Sequence, residues 1–284
     1  MPFKTILVLL NDTDHTPQLL DAAAVLTRKF DTHLIGLFVL PAAKIYSDVG
    51  MLAVPTVFEG YRERFKSRLE YVHEKFEARL TRDGIKGEWR AIDSDYPDIA
   101  ESAIMHAMGA ELVITSQIDC RKGGQIERDL AARLILESGR PVLIIPKHGR
   151  FAPEGEGIAE KAIVGNNGTP ESARTLFDAI PLLKLAEETR LVWVDPERER
   201  SLAGDIPGTE EAVVLSRHDI RIVAETIMTE GRNAGEILLM RANDLGADLL
   251  VAGAYANSRT REFVFGGATR YIMEHAGIPV LMSH

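Results

Sequence analysis

Gly109-Ala-Glu-Leu-Val-Ile114 returns in the second half of the chain as Gly246-Ala-Asp-Leu-Leu-Val251. Further on, Gly139-Arg-Pro-Val-Leu143 returns as Gly277-Ile-Pro-Val-Leu281. Two matches in the same order mark an internal duplication. With 284 residues the chain has room for two domains of ordinary size, each able to bury its own core.

Working outward from these runs, apolar β-branched stretches of strand length alternate with longer helical patterns, the signature of βαβ units. In the first copy strands are expected at 5–10, 33–40, 87–91, 112–116 and 141–145, with helices at 16–30, 59–82, 98–108 and 126–137. The second copy repeats the order, with strands at 161–166, 190–194, 221–224, 249–253 and 279–282 and helices at 171–185, 210–216, 234–245 and 267–275. The pattern predicts an α/β fold of two tandem open five-stranded parallel-sheet domains with helices on both faces, Rossmann-like in type. The polar, Gly-containing stretch 147–157 has linker composition, so the domains are taken as 1–148 and 149–284.

Composition removes several function classes. The 33 Lys and Arg stand against 42 Asp and Glu, and after residue 150 the balance is 13 to 21. A chain this acidic, without a basic stripe, lacks the phosphate-neutralising charge that nucleic acid or an anionic membrane surface asks for. The longest apolar stretches are strand-sized, far short of the roughly 20 residues that span a bilayer. The start Met1-Pro2-Phe3-Lys4 has no secretory pattern, and the one cysteine, Cys120, suits a reducing compartment, so a cytoplasmic protein is expected.

Ligands of open parallel α/β sheets bind beyond the carboxyl ends of the strands, at a topological switch point. Two loops of the second copy stand there. Asn166-Asn-Gly-Thr-Pro-Glu-Ser172 offers a turn that tolerates positive φ, then Thr169 as N-cap and Pro170 at the first helical position. The loop 253–269 leads from Gly253 through Ala256, Arg259 and Arg261 to Gly266, Gly267, Ala268 and Thr269 at a helix start, where unpaired N–H groups attract phosphate. In the first copy the matching loop places Ser116 and Asp119 at the glycine positions and Glu127 and Asp129 near the helix start. Carboxylates there compete with phosphate for the same N–H groups, so no triphosphate site is expected in 1–150.

These residues give the chain a resemblance, over essentially its whole length, to the universal stress protein family. Its nucleotide-binding members carry Gly-x2-Gly-x9-Gly-Ser/Thr after the fourth strand. The resemblance implies an adenine nucleotide alpha hydrolase-like fold and a site for ATP or another adenine nucleotide, with Mg, in the second domain. Adenine would lie near Asn167 and Val194, and the phosphates on Gly253, Ala256, Gly266, Gly267, Ala268 and Thr269. Ala256 departs from the second Gly of the pattern, Gly267 from its Ser or Thr, and Asn167 from the Asp common at the end of the first strand. The resemblance also implies a regulatory role in stress tolerance. Association would run through the last strands, 141–145 and 279–282, as an internal pseudo-dimer, with a homodimer and a further protein partner open. A slow ATPase and a nucleotide-independent interaction module are the alternatives.

The remaining motifs carry their ordinary structural readings. The eight histidines are scattered without a His-x3-His pair, so no metal site is expected. Asp93-Ser-Asp-Tyr-Pro-Asp98 lacks the later Gly and Glu of a calcium loop and reads as a helix cap. Cys120 beside Arg121 and Lys122 is read as an incidental thiol, and 45–58 as a lid, an interface or a packed connection.

Overall fold

The computed structural model describes residues 2–42, 55–96, 98–117, 129–149, 158–196, 207–254 and 267–284. Contacts gather the chain into two compact units. The N-terminal unit consists of Phe3–Ser116 and Arg121–Arg140. Its described elements are β1 (Thr5–Leu9), α1 (Thr16–Phe30), β2 (His33–Leu40), α2 (Pro55–Asp83), β3 (Gly87–Asp93), α3 (Ile99–Ala107), β4 (Leu112–Ser116) and α4 (Leu130–Glu137). The strands lie parallel in the order β3-β2-β1-β4, with Val8 level with Gly36 on one side and Ile114 on the other.

The C-terminal unit takes Pro141–His284 together with Met1–Pro2 and Gln117–Cys120. It contains β5 (Val142–Ile145), β6 (Lys161–Asn166), α5 (Pro170–Asp178), α6 (Ile180–Leu183), β7 (Glu188–Val194), α7 (Thr209–Ser216), β8 (Ile222–Ile227), α8 (Ala234–Leu245), β9 (Leu249–Gly253), α9 (Gly267–His275) and β10 (Val280–Ser283). The sheet order is β5-β10-β9-β6-β7-β8. All neighbours run parallel except β5 and β10, which are antiparallel with Leu281 opposite Leu143. The two expected last strands therefore pair with each other. Although the sequence copies meet near 148, β5 packs with the second copy because β10 completes its ladder.

The strands form where near-continuous apolar runs can be buried on both faces. Ile6, Leu7 and Val8 of β1 and Leu249, Leu250 and Val251 of β9 are fully inaccessible. Each such side chain contributes roughly 1.5–3 kcal/mol by leaving water. Edge strand β8 is half-exposed along its length, which is why its sequence mixes Glu225 and Thr226 with isoleucines. The helix expected at 171–185 is broken into α5 and α6, because Pro181 has no N–H to donate and its ring crowds the carbonyl one turn earlier. β3 and β8 extend beyond the expected ends, to Asp93 and Ile227. Among the described residues, no helix is long and apolar enough to cross a membrane.

Candidate functional site

In the C-terminal unit β6 is paired with β7 on one side and with β9 on the other. The chain leaves β6 toward β7 and leaves β9 toward β10, so the topological switch point falls between the carboxyl ends of β6 and β9. Asn166, Asn167 and Gly253 stand at that place, and Val194 ends the neighbouring β7.

The turn after β6 is built from its own side chains. Asn166 is buried, and its Oδ1 accepts from the Gly168 N–H and the Ser172 hydroxyl, both at 2.9 Å. Gly168 takes φ of 69°, which costs a glycine nothing and other residues more. Asn167 is exposed and turns its Oδ1 toward the Thr169 hydroxyl at 2.8 Å. Thr169 is the N-cap of α5 as expected, in a capping box with Ser172 and with Pro170 in the first turn. The outcome is a helix start fixed in place and aimed at the switch point.

Gly253 is held against that helix start. A Cβ on Gly253 would stand 2.6 Å from the Ser172 amide nitrogen and 2.8 Å from the Glu171 carbonyl carbon, both backbone atoms that cannot swing aside. Only glycine allows β9 to end this close to α5. Ser283 of β10 lies level with Gly253, and its hydroxyl is buried without a hydrogen-bond partner among the described residues. Glu171, in the first turn of α5, has a buried Oε2 that also has none.

The start of α9 lies against the start of α8. Gly267 is exposed, Ala268 half-buried and Thr269 buried at 6% exposure. The first turn of α9 packs on the first turn of α8: the Ala268 carbonyl would be 2.5 Å from a Cβ on Gly235, and Asn233 Nδ2 lies 3.3 Å from one on Gly267. Asn233 is the N-cap of α8, its Oδ1 accepting from the Gly235 N–H at 2.8 Å. Two helix N-termini are thus in contact, which makes for a shared positive end. Sequence reading passed over Asn233 and Gly235. Their signal was the Asn N-cap followed closely by glycine before an apolar periodic run.

Beside Val194, Asp195 adopts φ of 46° and ties the end of β7 to that of β8. Its carboxylate accepts from the Thr229 N–H at 2.8 Å and from the Thr229 hydroxyl, and these bonds hold its pKa below the usual carboxylate range. Of the residues expected to bind ligand, Asn167, Val194, Gly253, Gly267, Ala268 and Thr269 are described, all at the carboxyl ends of strands or at the start of α9. Ala256 and Gly266 lie outside the described residues, as do Arg259, Arg261, Asp119, Cys120 and Glu127. Asp129 precedes α4 and makes no side-chain cap, whereas Asp98 caps α3 by accepting from the Ala100 N–H at 2.9 Å. Among the described residues, no group of three or more His, Cys, Asp or Glu is placed to hold a metal ion.

Residues 160–284 match the model of the universal stress protein family. The whole chain is similar in fold to a universal stress protein from Archaeoglobus fulgidus, with a TM-score of 0.70 at 14% identity over 98% of this chain and 95% of that one. A functionally unknown protein from Pseudomonas aeruginosa PAO1 is similar with a TM-score of 0.61, also at 14% identity, over 99% of this chain and 92% of that one. No curated protein matches the sequence at a significant level. At these identities the solved structures speak for the fold.

Proposed function

We propose, from the premise that residues 160–284 form a universal stress protein family domain, that this domain binds ATP or a related adenine nucleotide at its switch point. The observation that carries the reading is Gly253, whose missing side chain lets the end of β9 meet the capped start of α5. Phosphate would lie along Gly253 and the first turn of α9, at Gly266, Gly267, Ala268 and Thr269, with Ala256 in the connecting loop. The base would sit toward Asn167 and Val194. Glu171, with its unpartnered carboxylate oxygen, has the chemistry to hold a magnesium ion accompanying the phosphates, since hard cations take oxygen ligands. Bound magnesium would offset phosphate charge in an acidic half of the chain.

The protein acts in this reading as a regulatory binding protein of the stress response: occupancy fixes the loops at the carboxyl ends, and a partner reads that surface. Binding is the output in this reading, and slow ATP hydrolysis is the alternative that product analysis on the purified protein would detect. The test is equilibrium binding of ATP to the intact protein, with and without magnesium, repeated on Gly266→Asp, which puts a carboxylate among the phosphate-facing N–H groups. Micromolar binding that the variant abolishes supports the site. No binding by the wild type overturns the nucleotide reading, and binding indifferent to the variant moves the site elsewhere.

A further inference from the structure

The two copies can be compared residue by residue at their switch points. Glu111 accepts from the N–H groups of Lys4 and Thr5, as Asp248 accepts from those of Glu160 and Lys161. Thr5 therefore corresponds to Lys161 and Glu111 to Asp248. Ser116 then stands where the second copy has Gly253, His15 where it has Glu171, and Asp12 where it has Gly168. By strand register, with His33 beside Thr5 and Glu188 beside Lys161, Val39 stands where the second copy has Val194.

Each of these first-copy positions is engaged by the chain itself. The Ser116 hydroxyl donates to Asp12 Oδ2 at 2.7 Å, and Ser116 Oγ lies 2.9 Å from His15 Nδ1. A serine hydroxyl has one proton, and Asp12 takes it, so His15 must donate from Nδ1. His15 is 4% exposed. The Asn11 side chain meanwhile occupies both backbone groups of Val39: its Nδ2 donates to the Val39 carbonyl at 2.7 Å and its Oδ1 accepts from the Val39 N–H at 3.0 Å. In the second copy the corresponding Asn167 bonds Thr169 instead. A 3-10 turn, Thr13–His15, delays α1 until Thr16, whereas α5 begins at Pro170, which corresponds to Asp14. That delay makes room for a serine Cβ where Gly253 has none to spare.

We infer that the first switch point is a site filled by its own side chains, with Asp12, Ser116 and His15 as a latch at the end that faces phosphate in the second copy and Asn11 on the backbone of Val39 at the other. The latch fastens the end of β4 to the turn that starts α1 and leaves no place for a nucleotide phosphate at the first switch point. The latch rests on the N-terminal unit alone and stands whether or not the other unit binds nucleotide.

The direct test is long-range nitrogen–proton NMR of the histidines in the full-length wild type at about pH 8, where an ordinary imidazole is neutral. The latch requires neutral His15 to carry its proton on Nδ1. A His15 protonated on Nε2 overturns it. Ser116→Ala supplies a second arm: amide exchange over 13–18 should speed about tenfold while exchange over 166–172 stays as it was. Unchanged exchange over 13–18 overturns the latch. Saturation with more than one nucleotide per chain overturns the filled site.

Discussion

The side-chain amide of Gln117 donates a 3.0 Å hydrogen bond to the carbonyl of Ala276, the residue that follows α9. Its Oε1 accepts from the Lys147 N–H at 3.0 Å, and its own N–H donates to the Ile145 carbonyl at 2.9 Å. Gln117 is 7% exposed, so one buried amide fastens the residues after β5 to the turn between α9 and β10. The corresponding residue of the second copy is Ala254, whose backbone bonds Ser283 in the same way but whose methyl group can make no such strap.

Gln117→Leu leaves the Ala276 carbonyl and the Lys147 N–H without this partner. A buried group deprived of its hydrogen bond costs about 1–3 kcal/mol. Denaturant titration of the intact chain should show a loss of about 2 kcal/mol or more for the C-terminal unit. Hydrogen exchange at Lys147 should rise, and wild-type protection there would refute the strap.

Next to the strap, Gly149 has φ of 130°, and a Cβ on it would stand 2.2 Å from the Gly277 carbonyl oxygen. Gly149→Ala should therefore lower the midpoint of thermal unfolding by several degrees or more, since both the conformation and the space exclude a methyl group. Gly84→Ala is the control: its φ is also positive, at 63°, but nothing lies within 4 Å of the added carbon. Equal losses in the two variants would contradict the contact.

Asp248 and Glu111 make the same clamp on the first strand of each copy, but Asp248 is the more buried, and burial pushes its carboxyl above the usual range despite the N–H groups of Glu160 and Lys161. An acid whose pKa is raised by folding binds its proton more tightly in the folded state. Its contribution is therefore greatest below the unfolded value and falls as pH rises through the window up to the folded one. Measured against Asp248→Asn, the wild type should lose stability as pH climbs from about 4. Parallel profiles would contradict this.

Glu137 should act with the opposite sign. The Arg133 guanidinium beside it holds its carboxyl below the usual range, against the pull of burial. Its stabilisation is present above the unfolded value and is lost as pH falls through the depressed folded one. Arg133 also bonds Asp98 and Glu101, joining α4 to the start of α3. Arg133→Ala should flatten the acid limb of the unfolding profile, and an acid limb as steep as the wild type's would count against the pairing.

Much of this architecture was legible in the sequence, and the failures have physical causes. The runs at 112–116 and 249–253 declared buried strands because each opens on three consecutive large apolar residues, 112–114 and 249–251. Edge strand β8 was read short because Glu225 and Thr226 sit where one face meets water. The break between α5 and α6 was signalled by Pro181, and the apolar period through 171–185 masked it. That β5 belongs with the second copy could not be read locally, since its partner β10 lies far along the chain. At the candidate site, Asn167, Gly253 and the start of α9 were singled out by residue type and by their place at the carboxyl ends of strands or at a helix start. The close contact of Gly235 with Ala268, and the latch of Asp12, Ser116 and His15, depend on packing between distant segments that no spacing reveals.

The most direct measurement is calorimetric titration of ATP and magnesium into the wild type and Gly253→Ala, with the folded state of each checked by its unfolding midpoint. The account predicts one nucleotide per wild-type chain and an affinity at least about tenfold weaker in the variant, because a methyl group 2.6 Å from the Ser172 nitrogen must push α5 off the end of β9. Equal affinity in a folded variant would contradict it.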